Sequence, residues 1–97
     1  MTEYEMSEKA LKYLAKNKSI KNAILKKIRY CLEDHLFDKL SECDKHELKG
    51  KLKGLWRLKL PYRRVVIYET VGAKPTRHAK IYSIKSEEEY HNWLSSA

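Results

Sequence analysis

The feature that most constrains the fold is a change of hydrophobic period at Gly54. From Ala10 to His35, apolar side chains recur every three or four residues, as in an amphipathic helix. After Gly54 they alternate with polar side chains, as in a half-buried strand. A chain that passes once from helices to strands buries both apolar faces by packing the helices on an antiparallel sheet. The sequence therefore predicts an α+β fold.

Two helices are predicted before the change of period. Ser7 is a suitable N-cap for the first helix, which we expect to end at Asn17. Ser19 is the expected N-cap of a longer second helix, whose apolar stripe extends to His35. Because so few residues join the two helices, we expect them to form an antiparallel hairpin.

Three strands and a closing helix are predicted in the second half of the chain. Ser86 and Glu89 have the spacing of a capping box, which predicts a short C-terminal helix with Tyr90, Trp93 and Leu94 facing inward. We expect residues 1–97 to form one α+β domain, in which the helical hairpin packs on a small antiparallel sheet and all the helices lie on one face of that sheet. The remaining segments are predicted as a short first strand (2–6), a mobile connection (36–45), strands (55–60, 64–69 and 77–84), a tight turn at 61–62 and a hairpin loop (71–75).

Length and composition indicate a small globular protein. A chain of 97 residues with 42% hydrophobic residues suits one compact domain. It has no apolar run of about 18 residues, and its first residues lack the order of a signal peptide, so we expect a cytoplasmic protein with no membrane partner. Cys31 and Cys43 fit no zinc motif, and we expect both to be structural or incidental thiols.

The positive charge is concentrated in one segment. Residues 46–85 carry 11 basic and 2 acidic groups, whereas residues 1–45 carry 10 basic and 8 acidic groups. The basic residues of this segment are interleaved with strand-like apolar residues, so they do not form a separate basic tail. A concentrated basic surface of this kind attracts polyanions, and most commonly nucleic acid.

The same basic segment resembles the central block of toxins of the RelE/ParE superfamily. In that family a Leu-Lys-Gly element leads into a strand with alternating basic residues, which is followed by a turn and a Tyr-Arg strand. The two leading helices and the closing strand and helix also fit, and the His-x-Leu-x-Gly start is similar to the YafQ branch. The matching motifs are Leu48-Lys49-Gly50, Trp56-Arg57-Leu58-Lys59 and Tyr62-Arg63-Arg64 through Tyr68.

This resemblance implies a function and a set of partners. Such a chain is the toxin component of a type II toxin–antitoxin system and is held inactive by a cognate antitoxin protein. It binds the ribosome and cuts mRNA in the A site by attack of the ribose 2′-hydroxyl on the adjacent phosphate, without a metal. The sequence itself contains no phosphate loop, metal-ligand cluster or nucleophile elbow, so we expect no cofactor.

Three basic residues are candidates for binding the reacting phosphate. Arg57 and Lys59 are two residues apart on one strand and therefore share a face, and we expect Arg64, in preference to Arg63, to join them from the next strand. Together they would stabilise the negative charge of the transition state, and arginine adds a bidentate fork. Crowding by two arginines favours a neutral lysine, so Lys59 is also a candidate base.

Three further residues are candidates for proton transfer. His46 matches the catalytic histidine of the YafQ-like pattern, and histidine titrates near neutral pH. Lys85 is the basic candidate after the last strand, and Tyr90 supplies a ring that stacks on a base or donates a proton, unless it is a core residue. The closing region departs from the family pattern, because residues 87–89 are three glutamates that would repel a phosphate if they faced the site.

Five further basic residues are candidates for contacts with RNA backbone, which position a protein without reading sequence: Lys49, Lys51, Lys53, Arg63 and Arg77. Two other functions stay open at this point. One is a ParE-like inhibitor of DNA gyrase, and the other is a non-catalytic module that binds RNA or protein on the same fold, since one fold hosts several functions.

Overall fold

The computed structural model describes residues 3–73 and 76–96. The helices are α1 (Glu8–Lys16), α2 (Lys18–Arg29) and α3 (Glu87–Ser96), and a π-helical segment, Tyr30–Asp34, continues α2. The strands are β1 (Glu5–Met6), β2 (Lys45–Glu47), β3 (Trp56–Leu60), β4 (Arg64–Val71) and β5 (His78–Ser86), with a 3-10 turn at Gly50–Leu52. None of the helices in the described ranges has the length and apolar character needed to cross a membrane.

The first helix begins and ends where the sequence predicts. Ser7 Oγ accepts a hydrogen bond from the Ala10 N–H at 3.1 Å, and Asn17 caps the carboxyl end. Asn17 is also the N-cap of α2, so the prediction of Ser19 as that cap is wrong. The physical reason is that a single residue separates the two helices, which leaves Ser19 inside the first turn of α2.

The five strands form one sheet in the order β1-β5-β4-β3-β2. Strands β2 to β5 are antiparallel, as predicted, whereas the two-residue β1 is parallel to β5 and makes the sheet mixed. Strand β2 lies partly in the segment that the sequence predicts to be a mobile connection. That connection is anchored, because Leu36, Leu40 and Cys43 pack against the core. The predicted loop 71–75 includes residues 74 and 75, and the predicted first strand includes residue 2, which lie outside the described residues.

Helices cover both faces of the sheet. The first core lies between the α1–α2 hairpin and one face, where Leu14, Ile24 and Ile28 pack with Leu58 and Val66. The second core lies on the other face, where α3 packs with the alternate residues of β4. Its buried members are Leu48, Val65, Ile67 and Tyr90, and Leu52, Leu55, Trp93 and Leu94 pack against them. The inward face predicted for α3 is confirmed, but the expectation that all helices pack on one face is wrong.

A disulfide joins Cys31, in the π-helical segment, to Cys43, just before β2. The expectation that both residues are free thiols is therefore wrong. Sequence spacing did not reveal the pair, because the contact depends on how the intervening loop folds back on the helix. Lys45 reinforces the same junction, since its ammonium group donates hydrogen bonds to the carbonyls of His35 at 2.8 Å and Leu36 at 2.9 Å. Burial lowers the pKa of Lys45.

Candidate functional site

The pairing of β2 with β3 brings two predicted site residues side by side. His46 is directly opposite Arg57, and Lys59 lies two residues further along β3. Directly paired residues share a face, and alternate residues of one strand share it too. Because Leu58 belongs to the first core, these three side chains lie on the other face, the one that carries α3.

Lys85 joins this face from β5. Lys59 is paired with Val65, and Val65 is paired with Lys85, so one row across three strands carries a lysine at each end. Neighbouring strands are about 4.8 Å apart, which separates the two lysine backbones by about 10 Å. Two long side chains can converge on one anion across this distance. We call His46, Arg57, Lys59 and Lys85 the basic face.

Arg57 has a buried donor without an acceptor. Its side chain is 20% exposed, and its Nη1 atom has no hydrogen-bond partner among the described residues. The nearest carboxylate oxygen, Oδ1 of Asp44, is 3.7 Å away. A buried cationic donor without an acceptor is costly, and an anion bound on the basic face would remove that cost.

Tyr90 lies beside Arg57 and belongs to the second core. Its side chain is buried against Val65 and Ile67. Burial raises the pKa of Tyr90, and the neighbouring Arg57 guanidinium opposes the rise. The phenol therefore keeps its proton at neutral pH. Tyr90 is therefore a core residue, one of the two roles that the sequence left open, and its side chain lies next to Arg57 of the basic face.

Lys85 differs from Lys59 in its surroundings. Its ammonium nitrogen lies 5.6 Å from the centre of the Trp93 ring, whereas Lys59 is exposed. Burial lowers the pKa of Lys85; the charge of Lys9 adds to this effect and that of Glu89 opposes it. A lysine with a lowered pKa releases its proton more readily, which suits a general acid.

Arg64 does not join the basic face, so the expected set of Arg57, Lys59 and Arg64 does not form. Arg64 is paired with Leu60, whose side chain belongs to the first core, and this pairing assigns Arg64 to the face of the helical hairpin. Its Nη1 atom donates a hydrogen bond to the Tyr62 carbonyl at 2.6 Å. The physical reason for the correction is the register of β4, which turns Val65 and not Arg64 toward α3.

The other arginine of the pair, Arg63, lies in the turn between β3 and β4. Tyr62 and Arg63 have φ angles of 60° and 55°, in the left-handed region that disfavours residues other than glycine. The side chain of Arg63 is exposed, and its carbonyl accepts a hydrogen bond from the Glu87 N–H at 3.0 Å. This bond ties the turn to the start of α3.

The three glutamates at residues 87–89 lie in the first turn of α3. The predicted capping box is confirmed, because Ser86 Oγ accepts from the Glu89 N–H at 3.1 Å and Glu89 Oε1 accepts from the Ser86 N–H at 2.9 Å. These bonds from Ser86 lower the pKa of Glu89, and the charges of Lys85 and Arg64 lower it further. One of the three carboxylates is thereby held at the helix terminus.

The remaining basic candidates lie around this face. Lys49, Lys51 and Lys53 are exposed in the connection from β2 to β3, close in sequence to His46 and Arg57. Arg77 is exposed just before β5, at the opposite end of the sheet from Lys85. The structure thus brings His46, Arg57, Lys59 and Lys85 together with Tyr90, and it separates Arg64 and Arg77 from them.

Sequence reasoning missed Asp44. Its Oδ1 atom lies 2.9 Å from His46 Nε2 and 3.7 Å from Arg57 Nη1. The signal that could have found it is the Asp-x-His spacing, since alternate residues of an extended chain share a face. Because residues 36–45 are predicted to form a mobile connection, the spacing alone does not predict this contact.

A groove of about 1090 Å³ lies at the β2 edge of the sheet. The segment from Leu36 to Ser41 forms one wall, Trp56 and Tyr68 contribute apolar lining, and Asp44 and His46 also border it. A volume of this size is enough for a small organic ligand or a nucleotide. Since Trp56 and Tyr68 pack in the first core, the groove lies on the hairpin side of the sheet and meets the basic face only at the β2 edge, beside His46.

Comparison with known proteins supports the fold. No protein-family model matches the sequence, and no curated protein matches it. A YoeB/ParE toxin from Agrobacterium tumefaciens has a TM-score of 0.66 at 14% identity, covering 89% of this chain and 98% of that chain. A YafQ mutant from E. coli has a TM-score of 0.65 at 17% identity, covering 93% and 98%. In a YoeB–YefM complex from Staphylococcus aureus, the matching chain has a TM-score of 0.54 at 22% identity, covering 88% and 95%. The chain therefore has the α+β fold of the RelE/ParE toxins.

Proposed function

We propose that this chain is the toxin component of a type II toxin–antitoxin system and acts as a ribosome-dependent mRNA endonuclease. The observation that carries the proposal is the buried Nη1 atom of Arg57, which has no hydrogen-bond partner among the described residues and faces the Asp44 carboxylate only at 3.7 Å. It lies on a sheet face that also holds His46, Lys59 and Lys85. This arrangement combines a cationic phosphate site with groups that can transfer protons. Solved structures of YoeB and YafQ share the fold, which supports the proposal.

The proposed reaction needs a base, an acid and positive charge. His46 removes the proton from the ribose 2′-hydroxyl, and the 2′-oxygen bonds to the adjacent phosphorus. The bond from phosphorus to the 5′-oxygen breaks, and Lys85 protonates the leaving oxygen. Arg57 and Lys59 stabilise the negative charge on the phosphate oxygens. The products are a 2′,3′-cyclic phosphate and a free 5′-hydroxyl, and no metal or cofactor takes part.

The assignment of the acid to Lys85 follows from its surroundings. Lys85 is partly buried beside Trp93 and has a lowered pKa, whereas Lys59 is exposed. A partly buried lysine that gives up its proton readily is a better acid, while an exposed lysine supplies charge. We therefore assign an electrostatic role to Lys59, which the sequence had also suggested as a base.

The partners of the proposed toxin are the ribosome, its mRNA and an antitoxin protein. Lys49, Lys51 and Lys53 are exposed beside the basic face and suit contacts with ribosomal RNA backbone. The YoeB–YefM complex supports a protein partner for a chain of this fold. An acidic or amphipathic antitoxin segment that folds on binding would match the net charge of +8.

A second candidate function is a non-catalytic RNA-binding module on the same fold. The absence of Arg64 from the basic face favours it, because one cation fewer faces the phosphate. The charge of Glu89 near Lys85 favours it as well. Both functions predict salt-sensitive binding to RNA, so cleavage must be measured directly.

The experiment that tests the proposal is induction of the wild-type chain and of single variants, with growth and ribosome-bound mRNA followed by primer extension. We expect cleavage in the A site by the wild type and a loss of about 10²- to 10³-fold for Arg57→Ala and Lys59→Ala. Lys85→Arg keeps the charge but not an easily released proton, so it should bind and cut slowly. Lys16→Ala, on α1 away from the basic face, is the matched control.

Two outcomes would contradict the proposal. Growth arrest with intact mRNA would favour another target, such as DNA gyrase. A folded, well-expressed wild type that neither arrests growth nor cuts mRNA would favour the non-catalytic module.

A further inference from the structure

We propose that the exposed ring of Tyr62, in the turn between β3 and β4, is a stacking site for a base of single-stranded RNA. The base belongs to the mRNA nucleotide next to the phosphate held by the basic face. This inference rests on the proposed function and deepens it, since it adds a contact with a base to the contacts with phosphate. Tyr62 takes no part in the chemical step.

The backbone of the turn does not favour the residues that it contains. Tyr62 and Arg63 have φ angles of 60° and 55°. Hairpin turns of type I′ require positive φ at two consecutive residues, and Asn-Gly is preferred there because both residues tolerate this region. A tyrosine and an arginine are strained in it. Folding alone therefore does not account for this pair, and strained residues of this kind cluster at binding and catalytic sites.

The turn is anchored by its backbone while its side chains stay free. The carbonyl of Tyr62 accepts a hydrogen bond from Arg64 Nη1 at 2.6 Å, and that of Arg63 accepts one from the Glu87 N–H at 3.0 Å. The side chain of Tyr62 is 60% exposed and belongs to neither core. Among residues 3–73 and 76–96, neither the Tyr62 nor the Arg63 side chain has a hydrogen-bond partner. A ring on a fixed backbone is thus open to a ligand.

The turn lies at the end of the sheet that carries the lysines of the basic face. Leu60 and Arg64 form the last pair of β3 and β4. The next pair contains Lys59, which shares its row with Lys85. Tyr62 is three residues from Lys59, and three residues of extended chain span at most about 11 Å. The base next to a phosphate on Lys59 is within reach of the ring.

The chemistry of this surface suits an RNA base better than an acidic protein segment. Bases of any sequence stack on flat aromatic side chains, while cations bind the backbone of the strand. Residues 87–89 place three carboxylates beside the turn, because Glu87 is bonded to the Arg63 carbonyl. These carboxylates repel an acidic peptide. A base is uncharged, so its stacking on Tyr62 tolerates them.

The experiment measures binding of a single-stranded RNA hexamer to the folded protein. The sugars of the hexamer carry 2′-fluoro groups in place of the attacking hydroxyl, so it is not cut. We expect Tyr62→Phe to bind within about twofold of the wild type. Tyr62→Leu keeps the apolar bulk without the flat ring and should bind about 5- to 100-fold more weakly. Leu11→Ser removes an apolar side chain of similar exposure, 54%, from α1 and is the matched control, with wild-type affinity.

The salt dependence of binding separates stacking from charge. The logarithm of the affinity for a single strand falls with the logarithm of the salt concentration by about 0.7 for each phosphate contact. Tyr62→Leu should keep the wild-type slope, whereas Lys59→Ala should reduce it by about 0.7. In NMR spectra of the wild type, the hexamer should move the ring protons of Tyr62 upfield, as a stacked base does.

Tyr62→Asn separates stacking from folding. Asparagine tolerates positive φ, so this variant should raise the Tm by about 4 °C and yet bind RNA as weakly as Tyr62→Leu. A lower Tm would show that the ring serves the fold, and wild-type RNA affinity in both variants would point to an acidic protein segment as the ligand; either result would overturn the inference. Binding through Tyr62 by a wild type that cuts no mRNA would support the stacking site and contradict the proposed cleavage.

Discussion

Reduction of the Cys31–Cys43 disulfide should lower the free energy of unfolding by about 3 kcal/mol. The two cysteines are 12 positions apart in the sequence. In the chain-entropy description, opening a loop of this length releases about 3 kcal/mol of conformational entropy in the unfolded state at 25 °C. A small domain is stabilised by only about 5–15 kcal/mol in total, so the loss is a large share of its stability. For a domain of about 100 residues it corresponds to a fall in Tm of about 12 to 24 °C.

The assay is urea unfolding of the wild type with and without reductant, followed by circular dichroism. The same polypeptide is compared in both states, so no packing is lost by substitution. The double variant Cys31→Ala with Cys43→Ala is the control, because its unfolding should not respond to reductant. A wild-type difference below about 0.5 kcal/mol, or two titratable thiols before reduction, would refute the reasoning.

Two further predictions concern stability and pH. Lys45→Met removes the charged donor to the carbonyls at the end of the π-helical segment and should cost about 2 kcal/mol in urea unfolding, whereas the exposed Lys39→Met should cost less than about 0.5 kcal/mol. His78 donates hydrogen bonds to the Thr76 carbonyl and to Glu5, and both bonds raise the pKa of His78 above 6.5. The bond from His78 lowers the pKa of Glu5 below 4.5. The stabilisation from His78 is full below pH 6.5 and is lost as the pH rises through its folded pKa, while that from Glu5 is lost as the pH falls below 4.5. An NMR titration should therefore find His78 titrating above 6.5 in the wild type and closer to 6.5 in Glu5→Gln; identical curves would contradict the pairing.

The predictable part of this fold is the part with a local cause. Ser7 and Asn17 bound α1 because each satisfies backbone groups within a few residues of itself. The capping box from Ser86 to Glu89 is local in the same way. Alternation along β3 assigned Arg57 and Lys59 to one face, because a two-residue period needs no knowledge of the partner strand.

The errors have long-range causes. Strand β2 is three residues long, too short for a period to be visible, and it exists because β3 provides its partner. The face of Arg64 depends on the register set by the turn at Tyr62 and Arg63, whose positive φ angles nothing in their residue types predicts. The disulfide and the Asp44 contact both depend on how residues 35–44 return to the sheet.

The candidate site was predictable in its residue types and less so in its geometry. His46, Arg57, Lys59 and Lys85 were named from sequence, and the structure brings them onto one face. Their differences in burial, which separate the exposed Lys59 from the partly buried Lys85, come from α3 packing over β5. Sequence could predict that helix, but not which lysine it would cover.

The lengths of the edge strands bear on whether other copies of this protein can add to its sheet. A long, open edge strand offers a row of unpaired N–H and C=O groups, and other chains can add to it. Here the long strands β3, β4 and β5 are internal, and the sheet ends in β1, of two residues, and β2, of three. Each of these edge strands by itself offers only a few unpaired backbone groups to another chain. Because β1 pairs with β5 only at Lys80 and Ile81, the outer edge of β5 beyond β1 is where a further strand could add to the sheet.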